Sequence, residues 1–302
     1  MKRTLITILA AILAFTSFAA YAENRTAGTQ YITIDPQAIL PDASEYQREY
    51  PSAITKGKLG YDLNALLIAL LGEGYEAMSR AESALFQDYE SRDASKPYRY
   101  VYIDTQTDAL DYYDAMVTGE RDGEYQAPSM NVFYDESLPM CKALLSEAVD
   151  PSWLEYPGIV RQVKEKWSDS RHWKPDSEYA ESVRGMDKHF FVFEHHTADD
   201  VNILGDHLTA AVGVNGLDSI TLSWHDFTPC EETILPMPLD DAIRLADAAY
   251  ESPTILLYAQ LVYSNWLTGS DEYNLSWYLV TSQGDYVVDC VLGKCMCDAL
   301  EA

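Results

Sequence analysis

Basic residues are scarce in this 302-residue chain. Its 21 lysines and arginines stand against 48 aspartates and glutamates, for a formal net charge of −27. Such a surface repels phosphate backbones and anionic headgroups, which argues against nucleic acid and against direct adhesion to a membrane surface. Its plainest consequence is solubility, because like-charged copies repel one another. Cysteine is sparse too, with five residues. The run Cys290-x4-Cys295-x-Cys297 lacks the second paired half of a zinc ribbon. Motifs of high specificity are missing: no GxSxG, no HExxH and no D-x-D-x-D-G calcium loop occurs. Beyond the first two dozen residues no run is apolar for long enough to cross a bilayer, and LLIALL reads as the core stripe of a helix.

What the chain does have begins with an address. Lys2 and Arg3 precede the apolar run LITILAAILAFTSFAA and then Ala20-Tyr21-Ala22, the three parts of a secretory signal peptide. Cleavage is expected after Ala22, leaving an exported chain with no membrane insertion and a side-chain charge of roughly −29. The alternative is an uncleaved N-terminal anchor. No cysteine lies near the cleavage site, which excludes a lipoprotein anchor. A composition 47% hydrophobic and 12% aromatic supplies a core and is not that of a disordered chain. In an oxidising compartment disulfides are the default. The expected bonds tie the tail, Cys295 or Cys297, to Cys230 or Cys290. The odd count, completed by Cys141, leaves one thiol free or paired between molecules.

The stretch 239–297 is the most readable. LDDAIRLADAAY is a short amphipathic helix, and ILLYAQLVY, LSWYLVTS and DYVVDCVL are strands of an antiparallel meander. Earlier, YITIDPQAIL reads as a strand ended by Pro36. Residues 61–80 read as a leucine-striped helix with Asp62 as N-cap, weakened at Gly72 and Gly74, and EAMSRAESALFQDYE as a second helix. YRYVYID alternates Tyr98, Tyr100 and Tyr102 with Arg99, Val101 and Ile103, with LDYYDAMVTG and MNVFYDE as partner strands. Three short helical patterns separated by prolines follow, with Asp150-Pro151 a helix start. Asn215-Gly216 between LTAAVGV and LDSITLSW signals a hairpin. The expected class is α+β: two helix-on-antiparallel-sheet units, residues 23–137 and 187–302, joined by a helical connector, 138–186.

Ala242-Ile243 in DDAIRLA, Trp277 in NLSWYLV, and DYVVDCVLGK with Asp289, Cys290 and Gly293 carry a likeness. Through them the closing unit resembles PepSY-like and related envelope proteins of Gram-positive bacteria. The ITIDPQAILPDA opening, the leucine-rich helix and the MNVFYD run are similar to a family of exported or lipid-anchored proteins of gut Firmicutes. The chain departs from the lipid-anchored members by lacking their lipobox cysteine. The resemblance implies an extracytoplasmic α+β protein and no activity.

Three groups of residues are candidates for chemistry. The segment HFFVFEHHTADDVNILGDH gathers His189, Glu194, His195, His196, Asp199, Asp200, Asp206 and His207. Neighbouring histidines on a strand face opposite ways, so a zinc site needs a tight loop joining His196, Asp200 and His207. Ser223 with Trp224, His225 and Asp226 is the only arrangement that suggests serine chemistry, and alternation of faces argues against a relay. The carboxylates at Asp104, Asp108, Asp111 and Asp114, and at Glu120, Asp122 and Glu124, read as solvated acidic edges or as weak calcium sites. Tyr98, Tyr100 and Tyr102, with Tyr112 and Tyr113, form either an aromatic platform for a glycan or peptide or the sheet face beneath a helix. The leading expectation is an exported, non-enzymatic envelope protein that needs no cofactor and binds a protein, peptide or glycan. A metal-dependent hydrolase using His195–His207 and a structural or inhibitory module working through a sheet edge are the alternatives.

Overall fold

The computed structural model describes residues 29–78, 86–114, 138–155 and 188–298, apart from 43, 45, 96, 97, 140, 214, 215 and 251. The export segment, the GERDGEY turn, the MNVFYD run and most of the expected connector lie outside the described residues. The chain runs β1 (Ile32–Ile39), β2 (Tyr50–Pro51), β3 (Ala53–Leu59), α1 (Leu63–Leu71), β4 (Glu76–Met78), β5 (Phe86–Glu90), β6 (Arg99–Asp104) and β7 (Leu110–Asp114). After a 3-10 turn at Pro151–Leu154 come β8 (Lys188–His196), β9 (Asn202–Gly213), β10 (Gly216–Leu222), β11 (His225–Pro229) and β12 (Thr233–Ile234). The last elements are α2 (Leu239–Asp247), β13 (Thr254–Ser264), β14 (Glu272–Thr281), β15 (Asp285–Asp289) and β16 (Lys294–Asp298). The class is α+β, dominated by sheet. One compact unit, the central one, spans Lys56–Thr228; the other, terminal unit joins the described residues up to Thr55 with those from Pro229 onward.

In the central unit β9, β10, β7, β6, β5 and β4 are successive neighbours, and β8 also pairs with β9, all antiparallel. Registered residues share a face, so the pairings lay out two unbroken apolar rows. One is Val101, Tyr112, Ile220, Ala210 and Phe191; the other is Ile103, Leu110, Leu222, Leu208 and Phe193. Leu66, Leu67, Leu70 and Leu71 of α1, with Cys141, Leu145, Val149, Trp153 and Leu154, complete this core. Each large apolar side chain buried this fully contributes about 1.5–3 kcal/mol. Val101 and Ile103 of β6, with Tyr112 of β7, therefore fill the helix-covered face, and the β6 tyrosines do not. Tyr100 and Tyr102 alternate onto the other face and are half-buried, while Tyr98 sits at φ +61° before β6 and is exposed.

Two helical expectations are corrected here. The first helix stops at Leu71, not at 80. Asp62 caps its start by accepting from the Ala65 N–H at 3.1 Å, and Gly72 ends it at φ +92°. A side chain at Gly72 would meet Asp93 at 2.6 Å in a backbone conformation that L residues avoid. The second helix is absent where its ends are described: β4 and β5 pair antiparallel with Glu76 opposite Glu90. Pairing of β5 with the tyrosine-rich β6 overrides a sequence rich in helix formers.

In the terminal unit β13, β14, β15 and β16 form the expected meander, β1 lies parallel to β13, and β3 pairs with the start of β14. Strand β14 is buried on both faces through most of its length, as a central strand is. Its Trp277 is fully buried and donates from Nε1 to the Met237 carbonyl at 2.7 Å. Leu239, Ala242, Ile243 and Ala246 recur at helical spacing and are the buried stripe of α2. Asp247 closes that helix at the end where a negative charge is unfavourable. It is retained there because its carboxylate accepts the backbone N–H groups of Gln30, Tyr31 and Ile32 at 2.7, 2.8 and 2.6 Å, tying down the start of β1. Asp247→Ala is expected to lower stability by about 1.5–3 kcal/mol. The readout is a lower urea midpoint at unchanged slope, with faster hydrogen exchange confined to residues 30–32.

Candidate functional site

The densest polar cluster of the central unit is organised by Asp206. Strand β9 carries a break in its register opposite Glu194–His196, with Gly205 at φ +89°. An irregularity of this kind re-aims the next side chain, and the one that follows is Asp206. Its carboxylate is 1% exposed and accepts four hydrogen bonds. His195 Nδ1 donates at 2.7 Å and His225 Nδ1 at 2.6 Å. The His225 backbone N–H and the Ser223 hydroxyl each donate at 3.0 Å. Burial opposes the charged form, but the bonds from His195 and His225 outweigh it and hold the carboxyl below its usual range.

A carboxylate can only accept, so both imidazoles carry their proton on Nδ1 in this arrangement. Nε2 of His225 is buried without a hydrogen-bond partner among the described residues. The His195 ring stacks on Trp224 with centroids 4.2 Å apart, and Trp224 stacks in turn on Trp153 at 4.8 Å. Tyr61 meets Trp153 edge-on at 5.8 Å, and burial, helped by Asp108 and Asp206, pushes its hydroxyl up to about 12. The serine of the Ser-Trp-His-Asp run thus turns to Asp206 and not to an imidazole. A hydroxyl that gives its proton to a carboxylate already saturated by other donors is not set up as a nucleophile.

A second cluster lies at the β8–β9 turn. His196 places Nε2 3.0 Å from Glu194 Oε2 and Nδ1 2.9 Å from Asp200 Oδ1, and Asp200 occupies the turn at φ +63°. Burial works against an imidazolium here, but the hydrogen bonds and charges of Glu194 and Asp200 prevail and raise the His196 pKa. The other Glu194 oxygen is buried without a hydrogen-bond partner among the described residues. Of the metal candidates, His196 and Asp200 are brought together, while His207 is paired in register with Glu194 on β9. Both His196 nitrogens are engaged as donors. Among the described residues no three histidine, cysteine or acidic side chains are grouped to hold a metal ion.

The acidic run 104–114 serves local structure. Asp104 accepts from Gln106 and Thr107 in its turn, Asp111 from the Thr221 hydroxyl at 2.7 Å, and Asp114 pairs with Arg99 at 2.8 Å. Glu120, Asp122 and Glu124 lie outside the described residues. The disulfide expectation is corrected, because Cys141, Cys230, Cys290, Cys295 and Cys297 are all free thiols. Cys295 and Cys297 lie across from Val288 and Tyr286, not from another cysteine. Cys230 lies against the Ser52 hydroxyl and the Ala53 N–H at 3.2 and 3.3 Å. Burial pushes Cys141, Cys290 and Cys295 up to about 12, which keeps those thiols protonated. Sequence reasoning missed Asp206 as the shared partner of His195, His225 and Ser223. Gly205, an isolated glycine inside a strand pattern, was the available signal.

No family model and no curated protein matches the chain. Among solved structures it is similar to an uncharacterised protein from Eubacterium rectale ATCC 33656, at 12% identity and a TM-score of 0.45, covering 91% of this chain and 88% of that one. It is also similar to the Bacillus megaterium YpeB C-terminal domain, at 13% identity and a TM-score of 0.37, covering 82% and 100%. Both likenesses are distant, and neither transfers a function.

The two clusters respond oppositely to pH. Asp206 has a folded pKa below its unfolded value of about 3.9, so its stabilisation is complete above that pH and is lost as pH falls through the folded value. Asp206→Asn is expected to cost about 3–5 kcal/mol at neutral pH, because it leaves buried donors mismatched, and to flatten the acid limb of a stability-versus-pH curve. His196 has a raised folded pKa, so its contribution is complete below about 6.5 and is lost as pH rises through the folded value. Urea midpoints measured across pH should lose that alkaline slope in His196→Gln.

Proposed function

We propose that this chain is an exported, non-enzymatic protein that binds or regulates a protein, peptide or glycan partner at the cell envelope. The observation that carries the reading is the Asp206 carboxylate, which is saturated by donors from His195, Ser223 and His225. Ser223 donates to Asp206 and not to an imidazole, and both nitrogens of His196 face carboxylates. The basic, apolar and Ala-Tyr-Ala succession at residues 2–22 supports export with cleavage after Ala22. No described helix is long and apolar enough to cross a membrane. The acidic surface, at −27, disfavours nucleic acid and anionic lipid as partners. Tyr98, Tyr100 and Tyr102 are the candidate contact residues, since aromatic rings with a polar tip suit wet interfaces. The plan of one helix on each of two antiparallel sheets belongs to the same proposal.

The reading assigns no cofactor, neither zinc nor calcium. A second reading, an interaction module working through a sheet edge, is favoured by β16, which pairs with β15 and with no other described strand. The secreted protein is expected to begin at Glu23 by N-terminal sequencing. It is expected to release no product from envelope peptides, glycans or esters, and to hold no stoichiometric metal when purified without a histidine tag. Hydrolysis abolished by His196→Ala or His225→Ala would overturn the proposal. Stoichiometric zinc lost in His196→Ala would replace it with a metal-dependent hydrolase.

A further inference from the structure

Strand β16 is an edge whose composition is complementary to itself. It is hydrogen-bonded to β15 on one side, and no other described strand pairs with it. An edge strand turns alternate backbone N–H and C=O groups outward, a template that proteins usually blunt with proline, bulges or lone charges. Here the strand reads Lys-Cys-Met-Cys-Asp and contains no proline. Beside it lie three exposed apolar side chains: Val291 at 46%, Leu292 at 47% and Met296 at 44%. Side chains alternate along it, with Lys294 and Met296 exposed and Cys295 and Cys297 half-buried. Lys294 alone would be the ordinary guard of an edge, but an acidic residue, Asp298, ends the same five-residue strand.

We propose that β16 is the seam of a two-fold homodimer, in which two copies pair antiparallel, edge to edge, centred on Met296. That register sets Lys294 across from Asp298 of the second copy, Cys295 across from Cys297, and Met296 across from Met296. Residues directly opposite on neighbouring strands interact: opposite charges stabilise and like charges destabilise. A parallel pairing sets lysine against lysine and aspartate against aspartate. An antiparallel slip by one residue separates lysine from aspartate. The charges therefore select one orientation and one register, and the contact is isologous and self-closing, so it stops at the dimer. Met296 of each copy gains cover at the same seam.

A seam of five residues is smaller than the roughly 1,200 Å² of stable complexes, so the dimer is transient and concentration-dependent. Each copy is strongly acidic, with a net charge of −27 over the full sequence, so their repulsion must be screened, as it is beyond about 10 Å at 0.1 M salt. The inference is independent of which ligand the protein binds, and its failure leaves that proposal standing.

Sedimentation velocity of the secreted chain at near-physiological salt, across the micromolar to sub-millimolar range, tests it. The expected result is a dimer fraction that rises with concentration. Lys294→Asp should weaken association at least about tenfold, because it sets like charges across the seam. The exchange Lys294→Asp with Asp298→Lys should restore it. Met296→Lys, at an exposed position, should abolish the dimer while thermal melting stays unchanged, which separates loss of the seam from loss of the fold. A chain that stays monomeric throughout the range overturns the proposal. So does a Met296→Lys or Lys294→Asp variant that dimerises as well as the native chain, or a charge exchange that restores nothing.

Discussion

A carboxylate removed from water survives as an anion only when donors saturate it, and the central unit is built around one such group. Asp206 gathers His195 from β8 and Ser223 and His225 from the corner between β10 and β11, all through one buried side chain. Desolvating a lone carboxylate would cost several kcal/mol, so the three segments hold one another through the charge they share. The aromatic stack of Trp153, Trp224 and His195 then fixes the ring that faces it. Loss of any donor leaves a buried charge under-satisfied, which makes the cluster a single cooperative feature.

The same solution recurs in the terminal unit, and the composition explains why. With 48 acidic residues and 21 basic ones, most carboxylates cannot find a cation. Several of those that are buried take backbone or amide N–H groups in its place. Asp247 accepts three N–H groups at the start of β1. Asp289 accepts from Val291 and Leu292 at 2.7 Å and from the Asn274 side-chain amide at 2.8 Å, closing the β15–β16 turn. Asp62 and Asp150 cap helical starts in the same way. Asp114, paired with Arg99, and Glu194, paired with His196, are buried exceptions. Aspartate thus has two uses in one chain: a solvated excess that sets the net charge, and a few interior acceptors that hold strand ends and corners.

Elements whose burial repeats with a period were legible in the sequence. The stripe Leu239, Ala242, Ile243 and Ala246, the meander 254–289 and the alternation in YRYVYID all reappear as elements, because a period of two or 3.6 is a local property of the string. Val101 and Ile103 lie on one face and Tyr100 and Tyr102 on the other, as alternation predicts, while Tyr98 falls before the strand; which face lies beneath α1 is a choice that alternation alone leaves open. The helical reading of residues 76–90 failed for the opposite reason. Its alanines and glutamates favour a helix locally, and the strand is imposed by β6 at its side.

By itself, then, the sequence determined the class, the acidic composition, and the closing helix and meander. These follow from composition and short-range periodicity. Only the tertiary structure decided that Asp206 unites His195, Ser223 and His225, that His196 lies between Glu194 and Asp200, and that the five thiols stand apart. Those facts depend on register, on a break in β9 and on which strand ends at an edge. Each is set by contacts between residues far apart in the chain, where the free energy of burying a charge or a ring outweighs any local preference.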